Sequence, residues 1–583
     1  MERLVGLIRK LERLPIFSAG HLLCLLILGA MGANLISNAA FRSLTNDEFV
    51  HIPSGHRYLV KRDFTLNPEH PPLAKVWAAL PLALVHVRPL PSVERNHDDF
   101  VAATVNYSAQ FWELNRGHWW QIVFWSRVPI IVLTLGLGVL IYLYGKTFFG
   151  VRAALFAVAL FSLEPTMLAH GWIVHTDIPA AFGFLLFFVM LQKYCLNPSL
   201  ARSICLGVVT GVALLIKFSL IVIAPVFFCA LVYRTLRQGT FRSSRLRRFA
   251  HSILAAACAI VVINAGYFFQ HPELSSQDLN WFLTNAPSPA SREPLFHLFN
   301  LLSKIFPTYY LFGIFTVYVH NHQGHPASLL GDFRSSGWWY YFPTALLLKT
   351  SLPFLLLTVA AVRWAFWAAL SRREKLLVPI FAFAALYFGM AMTSRINIGV
   401  RHIAPVFPFL FLLGGIFLDR FLRTRAHYSK RILVALTLAS MVLVAVRAYP
   451  DYLSFMNSLK LEKPGWQLLS DSNVEWGEDT GALARYLHEK GETSITAALS
   501  GGWLTPYGIH VVDYAPPDLQ SSPTRYVAIG AASLNGSTVR GDLKDGTGKT
   551  LTEDERINYF ANYRRLVPEK VFGNSIYLYR KTE

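Results

Sequence analysis

Residues that can move protons and hold charge cluster in TNDEFVHIPSGHRYLVKRDFTLNPEHPPLAK, residues 45–75, just after an apolar run at 21–40. The stretch supplies carboxylates, imidazoles and an amine: Asp47, Glu48, His51, Glu69, His70 and Lys75. Carboxylates and imidazoles are common general acids and bases in enzymes. At the end of an apolar run, they are placed to act on a substrate whose tail lies in lipid and whose head lies in water. We expect Asp47 to be the working carboxylate.

A second acidic segment is HGWIVHTDIPAAF, residues 170–182, which places His175 and Asp177 in a short turn between two apolar runs. We expect this turn on the same side of the membrane as Asp47. Two separate acids that face one cavity suit phosphate, metal or hydroxyl chemistry. Asp47 and Glu48 also have a plainer interpretation, as solvated acids at the end of a membrane helix.

Basic residues within or beside apolar runs are candidates for binding an anion, because a lysine or arginine there is costly unless it is paired or reaches the interface. A fixed positive charge at such a place can hold a phosphate. The alternative is a turn between spans or a membrane anchor. The candidates are Lys217, Lys349, Arg395, Arg401 and His402.

Composition predicts a polytopic membrane protein, because 53% of the residues are hydrophobic and several apolar runs approach the ~20 residues that cross a bilayer. The formal charge of +19 comes largely from short connections between these runs. That distribution is typical of cytoplasmic loops and indicates anionic lipid rather than nucleic acid as a partner.

Hydropathy predicts about eleven spans, a cytoplasmic N-terminus and an external C-terminus. The basic segment MERLVGLIRKLERLP at the N-terminus is interpreted as part of a retained anchor. The membrane domain covers residues 1–449, with long external connections at 42–120 and 270–337. The predicted spans are 21–40, 122–144, 151–169, 178–194, 203–217, 218–233, 250–269, 338–362, 376–393, 403–418 and 432–449.

Residues 450–583 predict a small external α/β domain of about 130 residues. Runs such as SITAALS, RYVAIGAAS and SIYLYRK have the composition of short strands, and DTGALARYLHEKG is helix-like. The five cysteines all fall in apolar runs or predicted cytoplasmic connections, so neither disulfides nor a cysteine metal site is expected. The acids and histidines could hold Mg²⁺ or Mn²⁺, but no ligand spacing is diagnostic and a metal is left open.

Several motifs together resemble the bacterial phospholipid-carrier-dependent glycosyltransferases, in the superfamily of protein O-mannosyltransferases and lipid A aminoarabinose transferases. The motifs are the Asp-Glu pair after the first span, EHPPLAK, HGWIVHTDIP, GVRHIAPVFPF and DSNVEWGEDTGALARYL. The chain departs from that pattern at GVRHIAP, where relatives often have Arg-Tyr, and at EWGED, where Asp-Trp-Gly-Gln-Asp is common.

The resemblance implies a GT-C membrane fold, a polyprenyl-phosphate-linked sugar donor, and a protein or envelope-lipid acceptor hydroxyl outside the cytoplasmic membrane. It also implies that Asp47 is the catalytic base and that basic residues of other external turns contact the lipid phosphate. A competing interpretation is a transporter or flippase for a lipid-linked sugar, because intramembrane lysines and external acids also mark transport pathways. A scaffold would explain the outer domain but not the cluster at 45–75.

Overall fold

A computed structural model describes residues 19–90, 100–236, 242–371, 374–424, 428–501, 503–544 and 548–582. The predicted N-terminal anchor before residue 19 lies outside the described residues, as do parts of three basic connections, at 237–241, 372–373 and 425–427. Helices dominate the described residues up to 450, and a small sheet lies near the C-terminus.

Seven helices in the described chain are long and apolar enough to cross a bilayer: Ala19–Phe41, Arg116–Phe149, Asp177–Leu196, Leu246–Gly266, Leu352–Leu370, Val400–Arg423 and Tyr428–Ala448. Four shorter apolar helices fall on the remaining predicted spans: Val151–Leu163, Leu200–Leu214, Phe218–Tyr233 and Leu377–Met392. The predicted class of a helical polytopic membrane protein is confirmed. How many of the shorter helices cross the bilayer stays a prediction.

Two of the long helices leave apolar side chains uncovered by protein. Leu22 is 60% exposed in the first helix, and Leu436 and Val446 are 61% and 66% exposed in the last one. Exposed apolar area costs roughly 25 cal/mol per Å² in water. A lipid environment removes that cost, so the pattern agrees with membrane insertion.

The predicted span at 338–362 is divided in the structure into two helices, Tyr341–Lys349 and Leu352–Leu370. The carboxylate of Glu164 accepts hydrogen bonds from the backbone N–H and the hydroxyl of Ser351, at 3.1 and 2.7 Å. These bonds satisfy polar groups at the start of the second helix. Pro353, in the first turn of that helix, has no backbone N–H and therefore needs no partner there. Hydropathy could not detect the break, because both halves are apolar.

Small residues let two helices pack closely. A Cβ atom on Gly211 in Leu200–Leu214 would lie 2.7 Å from the carbonyl oxygen of Ala259 in the Arg242–Gly266 helix. Close backbone approach of this kind is a common source of stability between membrane helices, where no hydrophobic force drives association. This packing lies beside the turn that carries Lys217.

The two long connections contain further helices. Residues 42–120 include Asn46–Lys61, Leu73–Ala79 and Phe100–Leu114, and residues 270–337 include Ser276–Thr284, Arg292–Leu302 and Thr308–Gln323. A short hairpin, β1 (Ala327–Leu329) with β2 (Asp332–Arg334), follows. These elements bring polar residues from both connections to the ends of the long helices.

The C-terminal region forms a five-stranded sheet in the order β4-β3-β5-β7-β6. Its strands are β3 (Ser494–Ala498), β4 (His510–Tyr514), β5 (Tyr526–Gly530), β6 (Lys570–Phe572) and β7 (Ile576–Arg580). The strand predictions for β3, β5 and β7 agree with the structure, and the helix-like segment forms Thr480–Glu489. β4 and β6 were not predicted, because they are edge strands and β4 is largely exposed. The predicted domain boundary at 450 stays a prediction.

Candidate active site

Six of the predicted site residues line one cavity of about 470 Å³: Asp47, Glu69, His70, Lys217, Arg401 and His402. Much of the remaining wall is apolar and includes Ile221, Ile314, Val317, Phe342, Met390 and Ile398. Ligand sites are commonly apolar clefts in which a few polar groups fix the orientation of the ligand. A cavity with both kinds of wall suits an amphiphilic ligand.

Arg401 joins two of the predicted acids, Asp47 and Asp177. It belongs to the 3-10 turn Val400–Val406, which precedes the Phe407–Arg423 helix, and it is almost fully buried. Its Nη1 donates to Asp47 Oδ2 at 2.8 Å and to Asp177 Oδ2 at 3.2 Å. A guanidinium keeps its proton even when buried, so Arg401 is a permanent cation between the two carboxylates.

Asp177 lies behind the cavity wall and is held by cations and by an imidazole. Lys217 Nζ donates to its Oδ1 atom. The backbone N–H of Asp177 donates to His175 Nδ1 at 2.9 Å, and His175 Nε2 lies 3.0 Å from the carbonyl oxygen of His170. This arrangement assigns the imidazole proton to Nε2. His175 therefore orients Asp177 and does not reach the cavity.

Asp47 and Glu48 are sequence neighbours with different surroundings. Both lie in the first turn of the Asn46–Lys61 helix, where the positive end of the helix dipole stabilises carboxylates. The Asp47 side chain keeps 20% exposure and lines the cavity. Glu48 is fully buried and accepts from Arg127 Nε at 2.8 Å and Nη2 at 2.6 Å. The structure thus gives cavity access to Asp47 and a fixed ion pair to Glu48.

Glu69 contacts histidines that the sequence analysis did not select. His320 Nδ1 lies 3.3 Å from Glu69 Oε1, and the opposite ring nitrogen lies 3.1 Å from His325 Nδ1. His325 Nε2 is in turn 4.0 Å from Asp471 Oδ2. The cluster joins both long connections to the region after the last span. Sequence spacing offers no sign of it, because its members come from three separate segments.

His51 and His70 pack edge to face, with ring centroids 5.4 Å apart. Burial lowers the pKa of His51 to about 4 and the pKa of His70 well below its ordinary value. Taking a charged imidazole out of water is costly, so both rings are neutral near pH 7. His70 lines the cavity and His51 lies behind it.

Three predicted cations do not reach the cavity wall. Lys75 is fully buried and donates to the carbonyl oxygens of Asn67 and His70 at 2.7 and 2.9 Å. Lys349 donates to the carbonyl oxygen of Leu453 at 2.5 Å and also to that of Asn473. Arg395 is exposed and donates to a backbone carbonyl at 3.1 Å. The two lysines hold loops, and Arg395 lies between Ser394 and Ile396, which line the cavity.

Two further residues of the region were missed. Arg127 forms the ion pair with Glu48, and its position within a long apolar run was a signal that could have found it. The Trp476 ring lies 4.1 Å from the guanidinium carbon of Arg401. Trp476 belongs to the motif DSNVEWGED, but nothing in the sequence indicates which side chain it covers.

Glu69 and His320 are the residue types that hold divalent ions. Within the described ranges, however, no group of three or more His, Cys, Asp or Glu side chains is arranged to hold a metal.

Comparison with known families matches residues 123–267 to the dolichyl-phosphate-mannose-protein mannosyltransferase family. This match confirms the predicted resemblance, and the matched segment contains Arg127, His175, Asp177 and Lys217. No curated protein sequence matches the chain significantly.

Solved structures with similar folds include ArnT from Cupriavidus metallidurans in the apo state, at 14% identity and a TM-score of 0.47, covering 96% of this chain and 98% of ArnT. ArnT bound to undecaprenyl phosphate gives 14% identity and a TM-score of 0.45, with 87% and 92% covered. The archaeal oligosaccharyltransferase AglB from Archaeoglobus fulgidus was solved in complex with an inhibitory peptide and a dolichol-phosphate. It gives 12% identity and a TM-score of 0.39, covering 87% of this chain and 69% of AglB. Similarities at this level assign no residue equivalences.

Proposed function

We propose that this chain, part of which matches the protein mannosyltransferase family, is an integral-membrane glycosyltransferase that moves a sugar from a polyprenyl-phosphate carrier to an acceptor hydroxyl. The observation that carries the proposal is the pairing of Asp47 with Arg401 at 2.8 Å in the wall of a cavity with apolar surfaces. A base and a fixed cation are the two groups that displacement of a lipid phosphate from a sugar requires.

At the acceptor end, Asp47 takes the proton of the attacking hydroxyl. The hydroxyl oxygen bonds to the anomeric carbon while the bond from that carbon to the phosphate oxygen breaks. The bonding electrons leave with the phosphate, and the proton stays on Asp47 until it is released to water. A single displacement of this kind inverts the anomeric centre.

At the donor end, negative charge on the departing phosphate grows as the bond breaks. Arg401 and Lys217 line the cavity and carry the positive charge that stabilises it. Arg401 Nη2 makes no hydrogen bond within the described part of the chain, so it can donate to a phosphate oxygen without breaking an existing bond. His402 lines the same wall, and Asp177 limits the net charge by pairing with both cations.

The orientation belongs to the same proposal. The basic connections favour a cytoplasmic N-terminus, and with that orientation the cavity and the sheet domain would lie on the external face of the cytoplasmic membrane. Reporter fusions after residues 240 and 425 should give cytoplasmic signals, and fusions near 300 and 520 should give external ones. An external signal at 240 would overturn the orientation and the place of the reaction.

Purified protein tested with a panel of radiolabelled polyprenyl-phosphate sugars, and with envelope lipid and protein acceptors, should transfer label from one donor. The same preparation in vesicles separates the enzyme from a flippase. If vesicles move the carrier across the bilayer and no donor and acceptor pair gives transfer, the chain is a transporter and the proposal is wrong. The active pair also identifies the sugar and the acceptor.

The proposed mechanism has no strict requirement for a divalent ion, because protein cations meet the phosphate. Treatment with a chelator should therefore leave most of the activity. Complete loss that Mn²⁺ or Mg²⁺ restores would place an ion in the site and would make Glu69 and His320 the first ligands to test.

A further inference from the structure

The segment from Ser470 to Trp476 lies between the last membrane helix and the strands of the sheet domain, and it contacts Arg401. Ser472 Oγ accepts from Arg401 Nε at 2.9 Å and donates to the carbonyl oxygen of Ile398 at 2.6 Å. Ser472 is 1% exposed. Its hydroxyl therefore fixes the Nε side of the guanidinium and the backbone just before it.

Trp476 fixes a face of the same guanidinium. Its ring centroid lies 4.1 Å from the guanidinium carbon of Arg401, and the ring is 2% exposed. Rings of His170 and His175 pack around the indole at 5.9 and 5.8 Å. An arginine over an indole face is attracted by the ring electrons, more strongly where water is excluded. The stack restricts the plane in which Arg401 can lie.

Asn473 holds the backbone that carries Arg401. Its Oδ1 accepts from the N–H of Val400 at 3.0 Å, and its Nδ2 donates to the hydroxyl of Tyr341 at 2.8 Å. Its carbonyl oxygen accepts from Lys349 Nζ at 2.7 Å. The side chain and the main chain of Asn473 thus tie the backbone at Val400 to both ends of the Tyr341–Lys349 helix.

The other side of the segment is bonded to the sheet domain. Glu475 accepts from the backbone N–H groups of Ser500 and Ala532 at 2.8 and 3.0 Å, and both donors follow strands of the sheet. Asp479 accepts from the hydroxyl of Ser575 at 2.6 Å. A continuous set of hydrogen bonds and ring contacts therefore leads from the sheet to Arg401.

We propose that Ser472, Asn473 and Trp476 are positioning residues for Arg401, and that the sheet domain completes the phosphate site through them. The inference rests on the proposed function, in which Arg401 binds the carrier phosphate. These three residues do not line the cavity, so they act through the arginine and not on the substrate. Small misplacements of a charge-stabilising group reduce rate strongly, which makes such positioning effective.

The test replaces Trp476 by Leu, which keeps an apolar side chain and removes the ring face. Trp476→Leu should lower kcat/KM for the donor by about 10-fold, and Trp476→Phe should restore most of it because a ring face returns. Trp466→Leu is the matched control, since Trp466 is a half-buried tryptophan of the same region, and Trp476 is the ring that faces the Arg401 guanidinium in the described chain. The control should keep the wild-type kcat/KM.

A double-mutant cycle separates positioning from a general structural role. In an Arg401→Gln background, Trp476→Leu should have no further effect, because the group it positions is gone. An equal loss in both backgrounds would overturn the inference, as would a folded Trp476→Leu protein with unchanged kinetics. If Trp476→Leu does not fold, the same cycle is run with Ser472→Ala, which removes only the hydroxyl, and its result decides in the same way.

A binding assay with a short-chain polyprenyl phosphate and the detergent-solubilised protein distinguishes failure of this inference from failure of the proposed function. Trp476→Leu should weaken that binding several-fold in the wild-type background and not in the Arg401→Gln background. If the wild type transfers no sugar but this binding pattern holds, the proposed function is wrong and the positioning is right. If transfer occurs and binding is unchanged, the positioning is wrong.

Discussion

Two of the buried arginine–carboxylate centres in the described chain, those of Arg127 and Arg401, differ in their hydrogen bonding. Arg127 donates to both oxygens of Glu48, and three backbone carbonyl oxygens, those of Ala39, Arg42 and Ser43, accept its other N–H groups at 2.7 to 2.9 Å. All five N–H donors of its guanidinium are therefore used. Arg401 donates to Asp47, Asp177 and Ser472, and its Nη2 has no partner among the residues that the structure describes.

Both guanidinium groups also face a tryptophan, at 4.5 Å for Arg127 and 4.1 Å for Arg401. Burial and an aromatic neighbour therefore do not separate the two centres. The centres differ instead in how many guanidinium N–H groups are already hydrogen-bonded within the protein. An arginine whose N–H groups are all used has none left to donate to a ligand. We interpret the Arg127 centre as structural and the Arg401 centre as the one that binds substrate.

The largest effect that this comparison predicts is on stability. Arg127→Leu leaves Glu48 as an uncompensated buried charge, and breaking a buried pair in this way costs about 3–5 kcal/mol. We expect poor yield and a strongly lowered midpoint of thermal unfolding in detergent. Arg447→Leu is the control, because Arg447 is exposed on the last membrane helix. An Arg127→Leu protein as stable as the wild type would contradict the structural assignment.

The second prediction concerns catalysis at the Arg401 centre. Arg401→Gln keeps hydrogen-bonding capacity but removes the charge that is proposed to meet the phosphate. A charge-assisted hydrogen bond is worth about 1.5–3 kcal/mol, so kcat/KM for the donor should fall by roughly 10- to 10²-fold in a folded protein. Unchanged donor kinetics would mean that Arg401, like Arg127, is only structural.

The third and smallest effect is a pH dependence of stability. Burial lowers the pKa of His51 to about 4, so the unfolded chain takes up a proton near pH 6.5 that the folded chain excludes. Stability from this group is complete above pH 6.5 and falls by about 2 kcal/mol as the pH drops to 5. His51→Asn should flatten the acid limb of a thermal-unfolding profile, and His297→Asn, at an exposed position, should not. An equal slope in all three proteins would contradict the neutral state of His51.

Much of the fold was accessible from sequence because hydropathy and strand composition are local properties. The predicted apolar runs fall on helices, and three of the five sheet strands were recognised. The division of the 338–362 run was not predicted, because it depends on the carboxylate of Glu164 from a distant helix. Likewise, β4 is an exposed edge strand, and its sequence lacks a clear alternation of apolar and polar residues that would predict a strand.

The site was predictable to the level of segments but not of individual side chains. Asp47 and Glu48 are adjacent in sequence, and only the tertiary ion pair with Arg127 determines that Glu48 is the one buried away from the cavity. The same limit applies to Lys349, whose apolar surroundings suggested an anion partner although its ammonium group donates to backbone carbonyls. His320 and His325 were missed because no periodicity links them to Glu69.

The most direct test of the account is the turnover of Asp47→Asn. This change keeps the size and shape of the side chain and removes its ability to accept the acceptor proton, so kcat should fall by on the order of 10² or more while polyprenyl-phosphate donor binding persists. Asp332→Asn, at an exposed acid of the β2 strand, should retain the wild-type kcat. If purified Asp47→Asn protein transfers sugar at nearly the wild-type rate, Asp47 is not the base and the central claim is wrong.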